Sequence, residues 1–547
     1  MLDAVRFGAR RLALGAADYV LTVPALRWTW TGLAVDAFAG DLPESRPSDS
    51  DAVREMMAGR YLLASKLVES GGTSPFGLQI DHPDWVWNLN SFSWLRHFRE
   101  VRDPGERRFA RTLVLDWIAR DGQFARDSWA PALCAQRVLN WLRHLTLLLE
   151  DANAEQSRTI QRSLGTQIQS LKVRRRLAGD PADELFAAIA LVGAELCEQG
   201  EQTDVGRYVD RLNGLLAVQL DRDGMHVSRN PKLQLHLLVE LASIRRALSS
   251  HKSEATGELS AQVERMHESL DALTLGSGEP VYFNGCGQLP HDVLIAVQAN
   301  GSTRKRKSRL LGGYGILRDG EAVVIADSGL VPPPGLAYEA HSSALAFEFS
   351  HGTELILGSC GPAPSDLPAS RPLFRQGIAH SAPTIDAEDA QSIPASGVMA
   401  ARLLQAGPLP TMSLDAPDHL LTLTSSGYAQ RFGIELERRL TLLSDGTTLV
   451  GQDRMIAKGN VKSGLLAIRF HLAPGVMVRR NRGEAIVRLV LPNGAVWSFL
   501  WEAAEFREEE SVRQSSYVGF AKTRQLVLET EVNAGAEVAW IFTLEQP

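Results

Sequence analysis

The stretch Tyr338-Glu339-Ala340-His341-Ser342-Ser343-Ala344-Leu345-Ala346-Phe347-Glu348-Phe349 changes character halfway along. Its first half is polar and irregular. Its second half alternates, with Leu345, Phe347 and Phe349 on one side and Ala346 and Glu348 on the other, the period of a half-buried β-strand. His341 stands where a loop enters that strand. A polar group held there by a rigid sheet can face a cleft, although a strand-end histidine bonded to a neighbouring carbonyl is the commoner case.

Around this strand the turn chemistry repeats. Gly315–Ile325 reads as a hairpin about Asp319-Gly320, Leu345–Leu357 about His351-Gly352, Leu440–Val450 about Asp445-Gly446, and Ile486–Leu500 about Asn493-Gly494. Asp-Gly and Asn-Gly between alternating runs are strong hairpin signals. Upstream the period is 3.6 instead. Phe109–Ala119 reads as a helix, and Ser128 with Pro131 opens a long one reaching about Glu150. Further helices are expected over about 155–177, 182–199, 204–219, 231–249 and 256–273. The expected architecture is therefore an all-α domain of antiparallel helical hairpins at 1–303 and an antiparallel β-sandwich domain at 304–547. The basic run Arg304-Lys305-Arg306-Lys307 between them reads as a solvated linker.

The chain has 547 residues, more than one core can serve, so two or more domains are expected. Its formal net charge of −7 does not indicate bulk attraction to nucleic acid. The cysteines Cys134, Cys197, Cys286 and Cys360 are widely spaced, with neither a zinc-site pattern nor a disulfide framework. No apolar run is long enough for a transmembrane segment. Arg6, Arg10 and Arg11 precede the apolar stretch Leu12–Leu26, but Asp18 interrupts it and no clean cleavage site follows. This is a weak secretory signal, and an amphipathic first helix explains it as well.

Several clusters could carry chemistry. The turn Asp223-Gly224-Met225-His226-Val227-Ser228-Arg229-Asn230-Pro231 opens a helix, where free N–H groups, Arg229 and Asn230 suit a carboxylate. Cap chemistry, with Asn230 as N-cap and Pro231 at the first position, is an equal reading. The loop Tyr282-Phe283-Asn284-Gly285-Cys286-Gly287-Gln288 is glycine-rich but lacks nucleotide-binding spacing. Tryptophans concentrate early, at Trp85, Trp87, Trp94, Trp117, Trp129 and Trp141. Most read as helix packing, and one or two at helix ends could stack on sugar rings. Arg137 and Trp141 share a helix face. His341 and His380 could bind zinc together, but no third ligand is evident nearby.

Taken together, Trp94-Leu95-Arg96-His97, Asp116-Trp117-Ile118, Gln136–Trp141, Asp223–Pro231, Phe283-Asn284-Gly285, His341 with Leu345–Phe349, and Ala379-His380-Ser381 resemble, in order and spacing, the heparinase II/III family of polysaccharide lyases. The resemblance implies an incomplete N-terminal α/α toroid, a C-terminal antiparallel β-sandwich, and an anionic, uronate-containing polysaccharide as substrate, cleaved by β-elimination. It implies a carbon–oxygen lyase of the cell envelope or periplasm; the weak signal leaves the cytoplasm open. On this reading His226, Tyr282, Tyr338 and His341 exchange protons, while Arg229, Asn230, Asn284, Arg137 and Trp141 bind substrate. His341 and His380 are the metal candidates, with zinc as the candidate ion.

The sequence departs from the family pattern in several places. Leu233 or Gln234 stands where the family has a tyrosine, and Gly179-Asp180-Pro181 where it has an asparagine or histidine. Glu339 stands where it has the first histidine of a His-x-His pair, and Ser359-Cys360 near a metal-binding aspartate. These departures leave a second reading, a non-catalytic or differently acting polysaccharide-binding protein on the same scaffold.

Overall fold

A computed structural model describes residues 2–32, 37–121, 127–177, 179–199, 205–250, 254–299, 301, 307–393, 404–405, 408–480, 485–515 and 519–546. Arg304, Lys305 and Arg306 of the expected linker lie outside the described residues. The chain forms two compact units, each made of several segments: Met1–Leu220, Leu235–Arg265 and Pro290–Gly301 in one, and Asp221–Gln234, Met266–Leu289 and Ser302–Pro547 in the other.

The first unit is helical. Its core helices include Pro104–Asp121, Pro131–Arg143, Ala154–Arg174, Pro181–Cys197 and Val205–Gln219. Asn153 opens one of them with a full capping box, its side chain accepting the N–H of Gln156 while Gln156 reaches back. Two details differ from expectation. The helix after Ser128 is capped by Ala130, with no side-chain bond, and stops at Arg143. A short helix, Leu145–Leu149, then completes the span. A small hairpin, Arg60–Leu63 with Lys66–Glu69, also interrupts the helical half. Its turn residues Ala64 and Ser65 both have positive φ without being glycine or asparagine, so the usual turn signal is missing.

The second unit is an antiparallel β-sandwich. Among the described residues one sheet runs Thr411–Asp415, Leu420–Ser425, Ile434–Leu443, Thr448–Ala457, Glu537–Gln546, Val496–Glu502, Val487–Val490, Met477–Arg479. The other runs Glu505–Ser515, Gly519–Glu531, Leu465–Leu472, Glu354–Gly358, Phe347–His351, Ala322–Asp327, Tyr314–Asp319, Arg309–Leu311. All four hairpins expected from their turns form. The sheets meet through Val324, Phe347, Phe349 and Phe470 on one side and Leu421, Leu440, Phe499, Trp540 and Phe542 on the other. Phe347 stacks on Trp540 at 5.5 Å between centroids.

The outer face of the second sheet is also covered. Ile316, Val323, Ile325 and Ala346 pack against Met225, Leu273, Leu275, Val281 and Phe283. This apolar contact draws 221–234 and 266–289 out of the helical half and into the β unit. It also corrects the reading of the central strand. Ordered pairing covers Phe347–His351 only, Leu345 having turned to φ +63°, and Glu348 is buried rather than facing solvent.

Candidate functional site

The site residues gathered by the β unit begin with the turn at 223–231. Asp221 Oδ1 accepts the N–H groups of Asp223 and Met225, both at 2.9 Å, and starts the turn. Gln234, buried and one of the two residues (with Leu233) standing where the resemblance implies a tyrosine, fastens it. Its Oε1 accepts the His226 N–H at 3.0 Å, and its Nε2 donates to the carbonyls of Gly224 at 2.8 Å and Met266 at 3.0 Å. His226 Nδ1 accepts the Ser228 N–H at 3.1 Å, so its proton sits on Nε2. Burial lowers the pKa of His226 to about 4, which keeps it neutral. Asn230 Oδ1 accepts the Lys232 N–H at 2.9 Å and caps the helix Pro231–Ala247.

Arg229, at φ +60°, points into the β unit. Its Nε donates to Gly312 O at 2.8 Å and its Nη1 to Leu330 O. Its Nη2 donates to Gly313 O at 3.0 Å and to Asp327 Oδ1 at 2.6 Å. The guanidinium lies 4.3 Å from the Tyr314 ring centre. Gly313 must be glycine here, because it has φ +82° and a Cβ would come within 3.1 Å of the guanidinium. The expectation that Arg229 clamps a substrate carboxylate is corrected: its donors hold the turn to the sheet.

Asp327, at the end of the apolar strand Ala322–Asp327, is the centre of this network and was not a candidate from sequence. Beyond Arg229 it accepts the Gly329 N–H at 2.7 Å on Oδ1, and Ser343 Oγ at 2.8 Å and Asn284 Nδ2 at 3.4 Å on Oδ2. Asn284 Nδ2 also donates to Tyr314 Oη at 2.7 Å, and its Oδ1 accepts the His341 N–H at 3.3 Å. Asn284 is thus buried and committed inward.

His341 and His380 do come together, with ring centres 4.7 Å apart. His341 Nε2 accepts the Gly285 N–H at 3.2 Å, which places its proton on Nδ1. That Nδ1 and both ring nitrogens of His380 are buried without a hydrogen-bond partner. Burial, helped by the charges of Arg375 and Arg371, lowers His341 to about 3. Burial, then His341 and His471, hold His380 far below its usual value. Zinc fits this pair poorly. Structural zinc takes four protein ligands and catalytic zinc three, and among the described residues no group of three His, Cys, Asp or Glu could hold a metal ion. Cys360 is turned instead toward His471, its Sγ 3.6 Å from Nδ1.

These histidines make the β unit acid-sensitive. His341 and His471, lowered to about 3 and about 4 mainly by burial, titrate below the ordinary value of 6.5. Between those limits the unfolded chain binds more protons than the folded one. Stability is therefore full above about pH 6.5 and falls as the pH drops toward about 4. The expected result is a steep fall in melting temperature from pH 6.5 to 4.5, made shallower by His380→Gln. Scanning calorimetry across that range measures it.

The remaining expected residues divide. Glu339 is ion-paired with Arg371 at 3.2 Å, and Arg371 lies 3.3 Å over the ring of Tyr338, which is 48% exposed. Gly285 backs onto Glu339 so closely that a Cβ there would meet the Glu339 Cβ at 2.4 Å. Tyr282 is buried beneath Arg513, 3.7 Å from its ring centre, and its hydroxyl donates to Glu279 at 3.0 Å. Burial raises its pKa above the usual range. Arg137 and Trp141, expected at a sugar-binding surface, are both buried in the helical unit. Arg137 lies 4.1 Å over Trp117 and donates to Gln167, Asn90 and Ser128, so both residues serve packing.

Residues 302–541 match the family described as "Heparinase II/III-like, C-terminal". Heparinase III superposes with a TM-score of 0.71 at 12% identity, covering 95% of this chain and 88% of that one. The heparan sulfate lyase HepC from Pedobacter heparinus gives 0.57 at 15% identity, covering 97% and 88%. Residues 302–541 are thus heparinase II/III-like, and the chain as a whole has the heparinase III fold, a helical toroid followed by an antiparallel β-sandwich. It is also 26% identical to FtsZ-localized protein C of Caulobacter vibrioides, over 91% of this chain and 90% of that protein.

Proposed function

We propose that this chain binds a polysaccharide of the cell envelope on a heparinase-like scaffold without cleaving it by β-elimination. β-Elimination on a uronate requires a neutralised carboxylate, an accessible base and an acid for the leaving oxygen. The observation that carries the reading is the inward commitment of Arg229, whose partners are Asp327 and three backbone carbonyls. His226 and His341 are buried and held neutral, which withdraws two proton carriers from a bound sugar. Glu339 stands where the resemblance implies a histidine, and it adds a carboxylate that opposes a uronate rather than activating it.

Calorimetric titration with a panel of acidic and neutral polysaccharides, run beside the absorbance assay for unsaturated uronate, tests this. Binding without unsaturated product is the expected result. Accumulating unsaturated product, abolished by His341→Ala, would restore the lyase reading, with its anionic substrate and with Tyr338 as an exposed proton carrier.

A second reading rests on the near full-length match to FtsZ-localized protein C: that this chain is likewise localised with FtsZ. Co-pelleting with FtsZ polymers tests it, and a chain left in the supernatant would exclude it.

A further inference from the structure

We infer, resting on the polysaccharide-binding reading above, that Tyr338 and Glu339 form a platform for an uncharged pyranose residue. The sugar's C–H face lies on the Tyr338 ring, and its hydroxyls donate to the Glu339 carboxylate. Every residue of the platform belongs to the β unit. Arg371 lies 3.3 Å over the centre of the Tyr338 ring and donates to Tyr338 O. One ring face is thus covered, and the exposed part of Tyr338, 48% of the residue, belongs to the other face and the edge. Arg375 fastens the same loop. Its Nε donates to Ala340 O at 2.8 Å, its Nη2 to Ala337 O at 3.1 Å, and its own carbonyl accepts the Ser342 N–H at 2.7 Å. Glu339 is seated by its stem, since a Cβ on Gly285 would stand 2.4 Å from Glu339 Cβ and 3.2 Å from its Cγ. Arg371 Nη2 pairs with Glu339 Oε1 at 3.2 Å, yet the Glu339 side chain stays 44% exposed. A ring braced by a guanidinium, beside a carboxylate held at its stem, loses little freedom when a ligand arrives.

The charges around the ring select the ligand. The exposed Glu339 carboxylate repels a uronate. Arg375, lowered to about 10 first by burial and then by the charge of Arg371, still carries its proton near neutral pH. Two guanidinia, Arg371 and Arg375, therefore stand behind the platform and repel a protonated amino sugar. An uncharged sugar meets neither penalty. Its hydroxyls are donors, and a carboxylate only accepts, with bonds stronger than those between neutral groups. Its C–H face is the apolar complement of an aromatic ring whose other side is already occupied.

Calorimetric titration of the full chain with tetrasaccharides of different charge tests this. The uncharged probes are cellotetraose and N-acetylated chitotetraose, the cationic probe is chitotetraose without its acetyl groups, and the anionic probe is tetragalacturonate. At least one uncharged probe is expected to bind roughly tenfold more tightly than either charged one. Tyr338→Ala should weaken that binding by roughly tenfold, and Tyr338→Phe should leave it unchanged, because the ring and not the hydroxyl makes the contact. Glu339→Gln should weaken it by roughly fivefold and narrow the gap to tetragalacturonate, a change of charge preference that a merely structural role would not produce. Both residues are about half exposed, so the melting temperature of each variant should stay unchanged. A saccharide that binds equally well to the unaltered chain, Tyr338→Ala and Glu339→Gln would overturn the platform and leave the polysaccharide-binding reading standing. Preference for a charged probe would overturn the assignment of an uncharged sugar. Failure of every probe to bind would remove the platform together with the reading beneath it.

Discussion

Asp327→Ala is expected to lower the stability of the β unit by about 3–5 kcal/mol, the usual cost of leaving one member of a buried ion pair without its partner. Neither member can be rescued by water: the side chain of Asp327 is fully buried and that of Arg229 is 4% exposed. Four polar groups lose an acceptor together, namely Arg229, Gly329, Ser343 and Asn284. For a unit of this size the loss corresponds to a melting shift of about 10 °C. Urea titration of the variant should show a lower midpoint with an unchanged slope. Arg229→Met with Asp327→Leu should recover only part of the loss, because the carbonyls of Gly312 and Leu330 lose the donor that Arg229 gave them. A shift within about 0.5 kcal/mol of zero would mean the pair is solvated and the turn at 223–231 is free to meet a ligand.

The same network shows what a linear reading captures and what it misses. The hairpins were legible because each is a local event: Asp319-Gly320 and Asp445-Gly446 set their own turns and strands, and Gly320 and Gly446 take the positive φ those turns need. The cap at Asn230 was legible for the same reason, since donor and acceptor lie two residues apart. Asp327 was not, because its meaning depends on Arg229, 98 positions earlier. Its trace in the sequence was a carboxylate closing an otherwise apolar strand, which burial on both faces would have made suspicious.

Glu348 departs from the expected alternation for a related reason. Alternation assigns one face of a strand to solvent only when nothing covers it, and here 266–289 does. Glu348 Oε1 instead accepts the N–H groups of Tyr282 at 3.2 Å and Ser359 at 3.0 Å. Arg137 and Trp141 carry side chains suited to sugar binding, yet helix periodicity places them in the same stripe as the core. The meeting of His341 with His380 follows from the resemblance, but their burial is not visible along the chain.

Arg438→Met should cost about 3–5 kcal/mol as well, through an ion pair buried within one sheet of the sandwich. Arg438 and Asp453 are directly opposite residues of neighbouring strands, joined by Nε to Oδ1 at 2.7 Å and Nη2 to Oδ2 at 2.9 Å. Both side chains are buried, and Trp540 Nε1 donates to Asp453 Oδ2 at 2.9 Å. Arg438 Nη1 then reaches the segments that lead into strands of the other sheet and donates to Leu345 O at 2.8 Å and Ser381 O at 3.2 Å. Those carbonyls belong to the segments that carry Ser343 and His380. Leu345 is also tied by its N–H to Asp327 O at 2.9 Å. The two buried pairs therefore hold one loop from opposite sides, so their losses should not simply add. A double-mutant cycle between Asp327→Ala and Arg438→Met, read by urea midpoints, is expected to give a coupling energy of about 0.5–3 kcal/mol, the range for residues sharing a network. Additive losses would mean that Leu345 is positioned by its own strand and that the sandwich core does not set the geometry around His341.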